Sequence, residues 1–406
     1  MYISTSKKCF LALLTVFVFL LAAFPAQADT PKTRSLVYTA LGDSIASGYK
    51  LSQSSNAYVN LYGSYLSAQT TNLARVGLNS SGLLKLLTSD ETMMKQIKKS
   101  DIVTISIGGN DLLPIFSSLQ PTSPASLLTA IQKITGAAMQ KQFQSAVTTF
   151  SQNWDKIVAQ VKKLAPHAQI IATTLIDPYQ GMIVSLPVVL HFDLGEYADR
   201  YIKQIDAVIS GHAKSGQYAV ADAHSLFAQH KAEKLTNANL SKSDFDPHPN
   251  AAGHRLLFQA HQSVPLKFTD SALALEGPTR ITIPADQNNT STRFSAQPLL
   301  TCFTTANTAT QIVYSVANRG NTQAVIDAAT GTLYVDKPGT VEIKATLTAM
   351  NATWTAETTT TIHVSKALVT QETYQKWVLP ICVILAILIA VILLLLIRRI
   401  NRFKKA

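Results

Sequence analysis

The stretch Leu36-Val-Tyr-Thr-Ala-Leu-Gly-Asp-Ser-Ile-Ala-Ser-Gly48 passes from a run of apolar and β-forming residues straight into Gly-Asp-Ser-Ile, with another glycine four residues after the serine. A run that stops abruptly at small polar residues is a buried strand whose C-terminal end presents a serine. Open α/β sheets carry their chemistry at that end. The rest of the chain is therefore read for strands that end in the same way.

Further short β-rich runs lie at 70–75, 102–107, 169–175 and 218–221. Between them are helix candidates at 57–68, 83–98, 141–164 and 194–213, with apolar positions recurring at three- and four-residue steps. In 141–164 the stripe Phe143, Val147, Phe150, Trp154, Ile157 and Val161 predicts a face packed on a sheet. Strand alternating with helix at this rhythm implies a parallel sheet covered on both sides.

Four polar patches fall where these strands meet their loops or just before a terminal helix at 251–262. They are Gly42-Asp-Ser44, Asn72-Leu-Ala-Arg-Val-Gly77, Gly108-Gly-Asn-Asp111 and Asp244-Phe-Asp-Pro-His-Pro-Asn250. Acyl transfer needs a base to take the proton of a serine hydroxyl, and a carboxylate to set the tautomer of that base. It also needs donors aimed at the developing oxyanion. Ser44, His248 and a nearby aspartate satisfy the first need; the N–H groups of Ser44 and Gly77 and the amide of Asn110 satisfy the second.

In these blocks the chain resembles the SGNH, or GDSL-type, hydrolases over roughly residues 35–267. Their serine, glycine, asparagine and histidine occur in this order, here Ser44, Gly77, Asn110 and His248. The resemblance implies a three-layer, flavodoxin-like α/β fold with a parallel sheet, a Ser-His-Asp unit, hydrolysis of carboxylic esters through an acyl-serine, and neither cofactor nor metal. It implies a glycine in the second block because a side chain there would crowd the acyl oxygen. One departure stands out: the family's aspartate lies three residues before the histidine, where this chain has Phe245. Asp246, two before, is the favoured partner; Asp244, four before, is the alternative, since Pro247 can reshape the loop. Asp43 and Asp111 are read as holding their loops by local hydrogen bonds. His254 and His261 are read as packing or surface residues, and His224 shows no partner pattern. The apolar segment 181–192 is a buried connection or a wall of an acyl pocket.

From about Leu275 the composition becomes rich in Thr and Ala and alternates with period two, as in Thr340-Val-Glu-Ile-Lys-Ala-Thr346 and Thr358-Thr-Thr-Thr-Ile-His-Val364, with turns such as Lys337-Pro-Gly339. This pattern predicts a small antiparallel sandwich. Residues 328–346 resemble the late strands of bacterial immunoglobulin-like group 2 modules.

Both ends read as targeting segments. Residues 1–28 run from Lys7-Lys8 through an apolar core to Ala26-Gln-Ala28, the order of a secretory signal. Residues 377–397 carry no charge and are followed by Arg398, Arg399, Arg402, Lys404 and Lys405, which predicts a transmembrane helix with a basic cytoplasmic tail. Removing the seven basic residues of these ends from the net charge of +11 leaves +4, so the basic balance reports topology and argues against a nucleic-acid partner. Of three cysteines only Cys302 lies between the two ends, which rules out a disulfide within that stretch. No Cys or His pair has metal-ligand spacing.

The expected organisation is a signal at 1–28, the hydrolase at 29–268, the immunoglobulin-like sandwich at 269–366, a stalk at 367–376, the span at 377–397 and the tail at 398–406. The expected function is that of an extracellular, membrane-anchored serine esterase or lipase-like acylhydrolase. The alternatives are a carbohydrate or cell-wall O-acetylesterase, and a surface binding protein built on an inactive hydrolase scaffold. The expected partners are an acyl lipid or O-acylated glycan, the membrane, and a cell-wall polymer at the immunoglobulin-like module, which is read as a spacer.

Overall fold

The computed structural model describes residues 32–116, 124–186, 190–239, 246–268, 271–304, 309–350 and 352–403; the expected leader and Asp244 lie outside the described residues. The first half is built on β1 (Val37–Gly42), β2 (Gln69–Asn72), β3 (Ile102–Ser106) and β4 (Gln169–Thr173), then a hairpin of β5 (Ile183–Leu186) and β6 (Leu190–Asp193), then β7 (Ala219–Ala221). Strands β2-β1-β3-β4-β7 form one parallel sheet in that spatial order. Counting only the strands of this sheet, the order is the 2-1-3-4-5 of flavodoxin-like folds, whose connections reverse direction between β1 and β3 and open a crevice beyond their C-terminal ends.

The helices are α1 (Ser44–Ser47), α2 (Tyr58–Tyr65), α3 (Ser80–Ser89), α4 (Glu91–Ile97), α5 (Gly109–Phe116), α6 (Pro124–Thr135), α7 (Ala137–Leu164), α8 (Leu194–Ala213), α9 (Ala223–Gln229) and α10 (Ala251–Gln262). Successive strand residues point to opposite faces, so Val103, Ile105, Ile170 and Ala172 enter a core shared with α3, α4, α7 and α8. Ile102 and Ile171 enter the other core, shared with α2, α9 and α10. The predicted stripe on α7 is buried throughout, and Trp154 Nε1 donates to Tyr218 Oη at 2.8 Å. The single helix expected at 83–98 is two helices. Asp90 breaks it by accepting from Met93 N–H as the N-cap of α4.

The second half is β-rich, with β8 (Leu266–Phe268), β9 (Leu273–Glu276), β10 (Arg280–Ile283), β11 (Thr290–Arg293), β12 (Ser295–Pro298), β13 (Thr310–Asn318), β14 (Val325–Ile326), β15 (Thr332–Val335), β16 (Gly339–Ala349) and β17 (Trp354–Lys366). One sheet runs β10-β17-β16-β13 with β8 also on β17; a smaller one runs β11-β15-β14, and β9 pairs with β12. Most pairs are antiparallel, as the alternation predicts, but β8 and β10 both lie parallel to β17. A last helix, α11 (Leu379–Phe403), carries most of an apolar helical stretch, Tyr374–Arg398, of 25 residues, none of it buried. Its length of about 37 Å exceeds the roughly 30 Å of a bilayer core.

The two halves share one core. Trp354 at the start of β17 meets the Tyr65 ring edge-on at 5.5 Å, and Phe258, Phe268, Leu300 and Phe303 pack around them. Backbone bonds seal the seam: Arg34 N–H donates to Leu299 O at 2.8 Å, and Thr301 N–H to Arg34 O at 2.9 Å. The Gln169 side chain bonds Pro265 O and Lys267 N–H.

Candidate active site

Every strand that ends in a polar patch contributes to one edge of the sheet. β1 ends at Gly42, where a Cβ would lie 2.3 Å from Ser106 O, so only glycine allows the first and third strand ends to close this tightly. Asp43 caps α1 by accepting from Ile45 N–H at 2.9 Å and donates its own N–H to Ser106 O. Burial pushes the Asp43 carboxyl up to about 7, against the backbone bond from Ile45 and with help from the nearby charge of Asp111. Ser44 is thereby held, largely buried, in the first turn of a helix, where N–H groups have no intrahelical acceptor. Gly48, at φ +70°, ends that turn.

His248 Nε2 lies 2.9 Å from Ser44 Oγ. On the other side of the ring, Nδ1 is hydrogen-bonded to Asp246 Oδ1, which also accepts His248 N–H at 3.2 Å. This is how an aspartate two residues away reaches the imidazole. The carboxylate folds back over the chain, and Pro247 fixes φ while offering no N–H of its own. A carboxylate only accepts, so Nδ1 carries the proton and Nε2 faces the serine as an acceptor. Burial alone would raise Asp246, but the bonds from His248 and Lys50 outweigh it and hold the carboxyl below its ordinary range. Lys50 Nζ sits 3.1 Å from the second oxygen, Oδ2. The Tyr49 ring stands edge-on to the imidazole at 5.0 Å.

The loop carrying His248 is pinned from both sides. Asn237 N–H donates to His248 O, and Asn250 N–H to Leu235 O, both at 2.9 Å. Asn250 also caps α10 by accepting from Ala252 and Gly253 N–H. A Cβ on Gly253 would fall 2.2 Å from Leu235 O, so the loop and the helix need a glycine where they cross.

The residues expected to receive an oxyanion lie on the neighbouring loops. Leu78 N–H donates to Arg75 O at 3.1 Å with Gly77 at φ +79°, a type II turn that demands a positive φ at its third residue. A Cβ there would meet no atom of the chain within 4 Å, so within the protein itself the glycine answers to the backbone conformation of the turn. Asn110 Nδ2 donates to Leu78 O at 3.0 Å, tying this turn to the end of β3 and leaving its second N–H pointing elsewhere. Asp111 accepts from both the N–H and the hydroxyl of Ser80, a loop-holding role in line with the sequence reading.

A cavity of about 60 Å³, almost entirely apolar, opens beside Ile45 and Gly109, the neighbours of Ser44 and Asn110; Leu112, Leu175, Tyr179 and Ile202 complete its main walls. The described residues of the segment 181–192 do not line it; 183–186 and 190–192 lie in the β5–β6 hairpin, with Ile183 exposed. Three histidines also find their places. His254 and His261 are fully buried, and burial pushes each down to about 4, so both are neutral packing residues. His224 lies between Asp206 at 2.9 Å and Asp199 at 3.0 Å, and its bond to Asp206 raises its pKa. Asp206 in turn accepts Leu175 N–H at 2.7 Å, fixing one wall of the cavity. Sequence spacing carries no sign of this cluster, or of Lys50 and Tyr49, because these contacts join segments far apart in the chain.

Residues 40–256 match the GDSL-like Lipase/Acylhydrolase family. The chain is 26% identical over 243 residues to the Bacillus subtilis protein YpmR, an alignment that covers 57% of this chain and 82% of the relative. Among solved structures, the phospholipase A1 of Streptomyces albidoflavus shares 19% identity, covering 57% of this chain and 99% of its own, with a TM-score of 0.43. The extracellular lipase of Streptomyces rimosus shares 19%, covering 56% and 99%, with a TM-score of 0.44. Since the family match takes in more than half of the chain and falls on the domain that holds Ser44 and His248, this protein belongs to the GDSL-like lipase/acylhydrolase family and is an ester-hydrolysing enzyme.

Proposed function

We propose that the protein is an exported, membrane-anchored serine esterase that cleaves short-chain carboxylic esters. The carrying observation is the continuous hydrogen-bonded line from Ser44 Oγ through His248 to Asp246. In this reading Ser44 attacks the ester carbonyl while His248 Nε2 takes its proton, and ionised Asp246 stabilises the imidazolium that results. The N–H groups of Ser44 and Gly77 and the Asn110 amide receive the oxyanion. The tetrahedral intermediate collapses as His248 returns the proton to the leaving alcohol. Water, activated by the same imidazole, then hydrolyses the acyl-serine.

Acyl length is read from the cavity. It is small and apolar, and a short acyl group enters it without moving its walls. This favours the O-acetylesterase side of the two substrate readings. Export and anchoring rest on the signal-like residues 1–28 and on the apolar stretch Tyr374–Arg398 with its basic flank. The immunoglobulin-like reading of the β-rich half rests on the alternation and turn pattern of 328–346. The test is hydrolysis of p-nitrophenyl esters from acetyl to palmitoyl by the purified protein and its Ser44→Ala variant. Activity that peaks at the shortest chains and falls by about 10³-fold or more in the variant supports the reading. Undiminished activity in the variant sinks it.

A further inference from the structure

We infer that the active site is held facing away from the bilayer that takes the apolar helix, so that its substrates are esters on soluble or polymeric carriers and not the lipids of that bilayer. The inference rests on the esterase and anchoring readings above.

The geometry comes from where the two halves meet. The nucleophile turn, the Gly77 turn and Asn110 all lie at the C-terminal ends of β1, β2 and β3. The seam with the β-rich half lies at the opposite, N-terminal edge. Arg34, Asp101 and Gln169 precede or open β1, β3 and β4; Arg34 grips Asp101 through two 2.7 Å bonds and bridges Leu300, and Gln169 holds the chain entering β8. Helix α10 spans the domain between these edges. It starts just after His248 and ends next to β8, a rise of about 18 Å.

Strand β17 then carries the chain onward. Its first residues, Trp354–Ala356, pair with β8 and share the hydrolase core. Its last residues, His363–Lys366, pair with β10, and Ile362 and Val364 there enter a separate core with Ile281, Ile283 and Leu333. From Ala356 to Lys366 the strand advances about 33 Å away from the seam. Only residues 367–370 separate its end from the helical segment that leads into the apolar stretch. The β-rich half is thus a strut packed onto the back of the catalytic domain, not a module on a flexible string, and the roughly 33 Å of β17 beyond the seam stand between that domain and the start of the apolar helix.

The test places one ester chemistry in two locations. The full chain is reconstituted in phosphatidylcholine vesicles and given umbelliferyl butyrate either free in solution or attached to a cholesterol anchor by a short linker. Both are assayed in vesicles and again in detergent micelles, where the fixed separation is lost. The expected result is equal rates for the free ester in both settings, with the anchored ester cleaved about tenfold or more slowly in vesicles than in detergent because a short linker cannot span the distance. Equal cleavage of the anchored ester in vesicles and detergent overturns the inference. A second readout does not depend on activity: energy transfer to headgroup-labelled lipid from a dye on Val76→Cys, by the active site, or on Leu368→Cys, just past β17, each in a Cys382→Ser background. Strong transfer from position 368 with little from 76 supports the inference, and strong transfer from both overturns it. Failure to cleave even the free ester, with the transfer pattern as expected, sinks the short-chain esterase reading while leaving the orientation standing.

Discussion

Removing the Lys50 ammonium should weaken the enzyme most at low pH. Lys50 Nζ is 3.1 Å from Asp246 Oδ2, and the two side chains differ in exposure, 47% for the lysine against 6% for the aspartate. At an effective dielectric constant near 20 the bare attraction is about 5 kcal/mol, but an ammonium this open to water is strongly screened. A pair with one buried partner lies between exposed pairs, worth about 0–1 kcal/mol, and buried pairs, which cost about 3–5 kcal/mol when broken. A loss of about 1.5 kcal/mol of transition-state stabilisation is a tenfold fall in kcat/KM. The sign of the pH effect follows from Asp246, which in the proposed mechanism must be ionised to stabilise the imidazolium. Its carboxyl is held low in spite of burial, partly by Lys50, so loss of the ammonium lets it rise and deplete the ionised form first on the acid side. The assay is kcat/KM for a p-nitrophenyl ester from about pH 5 to about pH 9 for wild type, Lys50→Met and Lys50→Arg. Lys50→Met should lose most at the acid end and Lys50→Arg should restore the profile. A further variant separates charge from strain: Lys50 sits at φ +66°, so Lys50→Gly should lose activity like the methionine variant while gaining thermal stability. A Lys50→Met profile that parallels wild type to within about twofold across the range would falsify the argument.

The two candidate aspartates are separated by mutation: Asp246→Asn should lower kcat by about 10³–10⁴-fold by disturbing the His248 tautomer, whereas Asp244→Asn should stay close to wild type; the reverse ranking would exchange their roles. Gly77→Ala places a Cβ in open space but at φ +79°, so it should cost about 1–2 kcal/mol of stability, read as a lower Tm. It should also reduce kcat about tenfold or more by moving a donor N–H; an unchanged kcat would leave the turn with a structural role only. Asp43 is raised to about 7 in the folded protein from an unfolded value of 3.8, so folding loses stability as pH rises between these values and carries the full cost above 7. Asp43→Asn keeps the acceptor for Ile45 N–H and removes that cost. Its Tm should exceed wild type by an amount reflecting a few kcal/mol near pH 8, and match it near pH 4; an equal gain at both pH values would contradict the burial argument.

Much of the catalytic half was legible because its signals are local. Each strand of the parallel sheet is a short β-rich run with a polar end, and α8 and α10 start and stop where the periodicity does. Where prediction and structure part, side-chain chemistry overrode period. Asp90 split a continuous apolar pattern by capping, and Leu73–Arg75 left the strand to enter the Gly77 turn. The short helices α1, α5 and α9 escaped because too few residues repeat in them for a 3.6-residue period to register.

Sequence by itself determined the residue types and the chain order of the candidate site, because a serine, a glycine, an asparagine and a histidine at strand ends are a local pattern. It also determined the two classes of domain, since periods of 3.6 and 2 are written into successive residues. Only the tertiary structure decided which atoms meet. The choice of Asp246 as the neighbour of His248, the ammonium of Lys50 behind it, the small cavity beside Ile45 and the seam at Trp354 all depend on side chains distant in the chain, or on rotations within one loop. Such contacts are fixed by packing and by the need to satisfy buried polar groups, and neither leaves a periodic trace in the sequence.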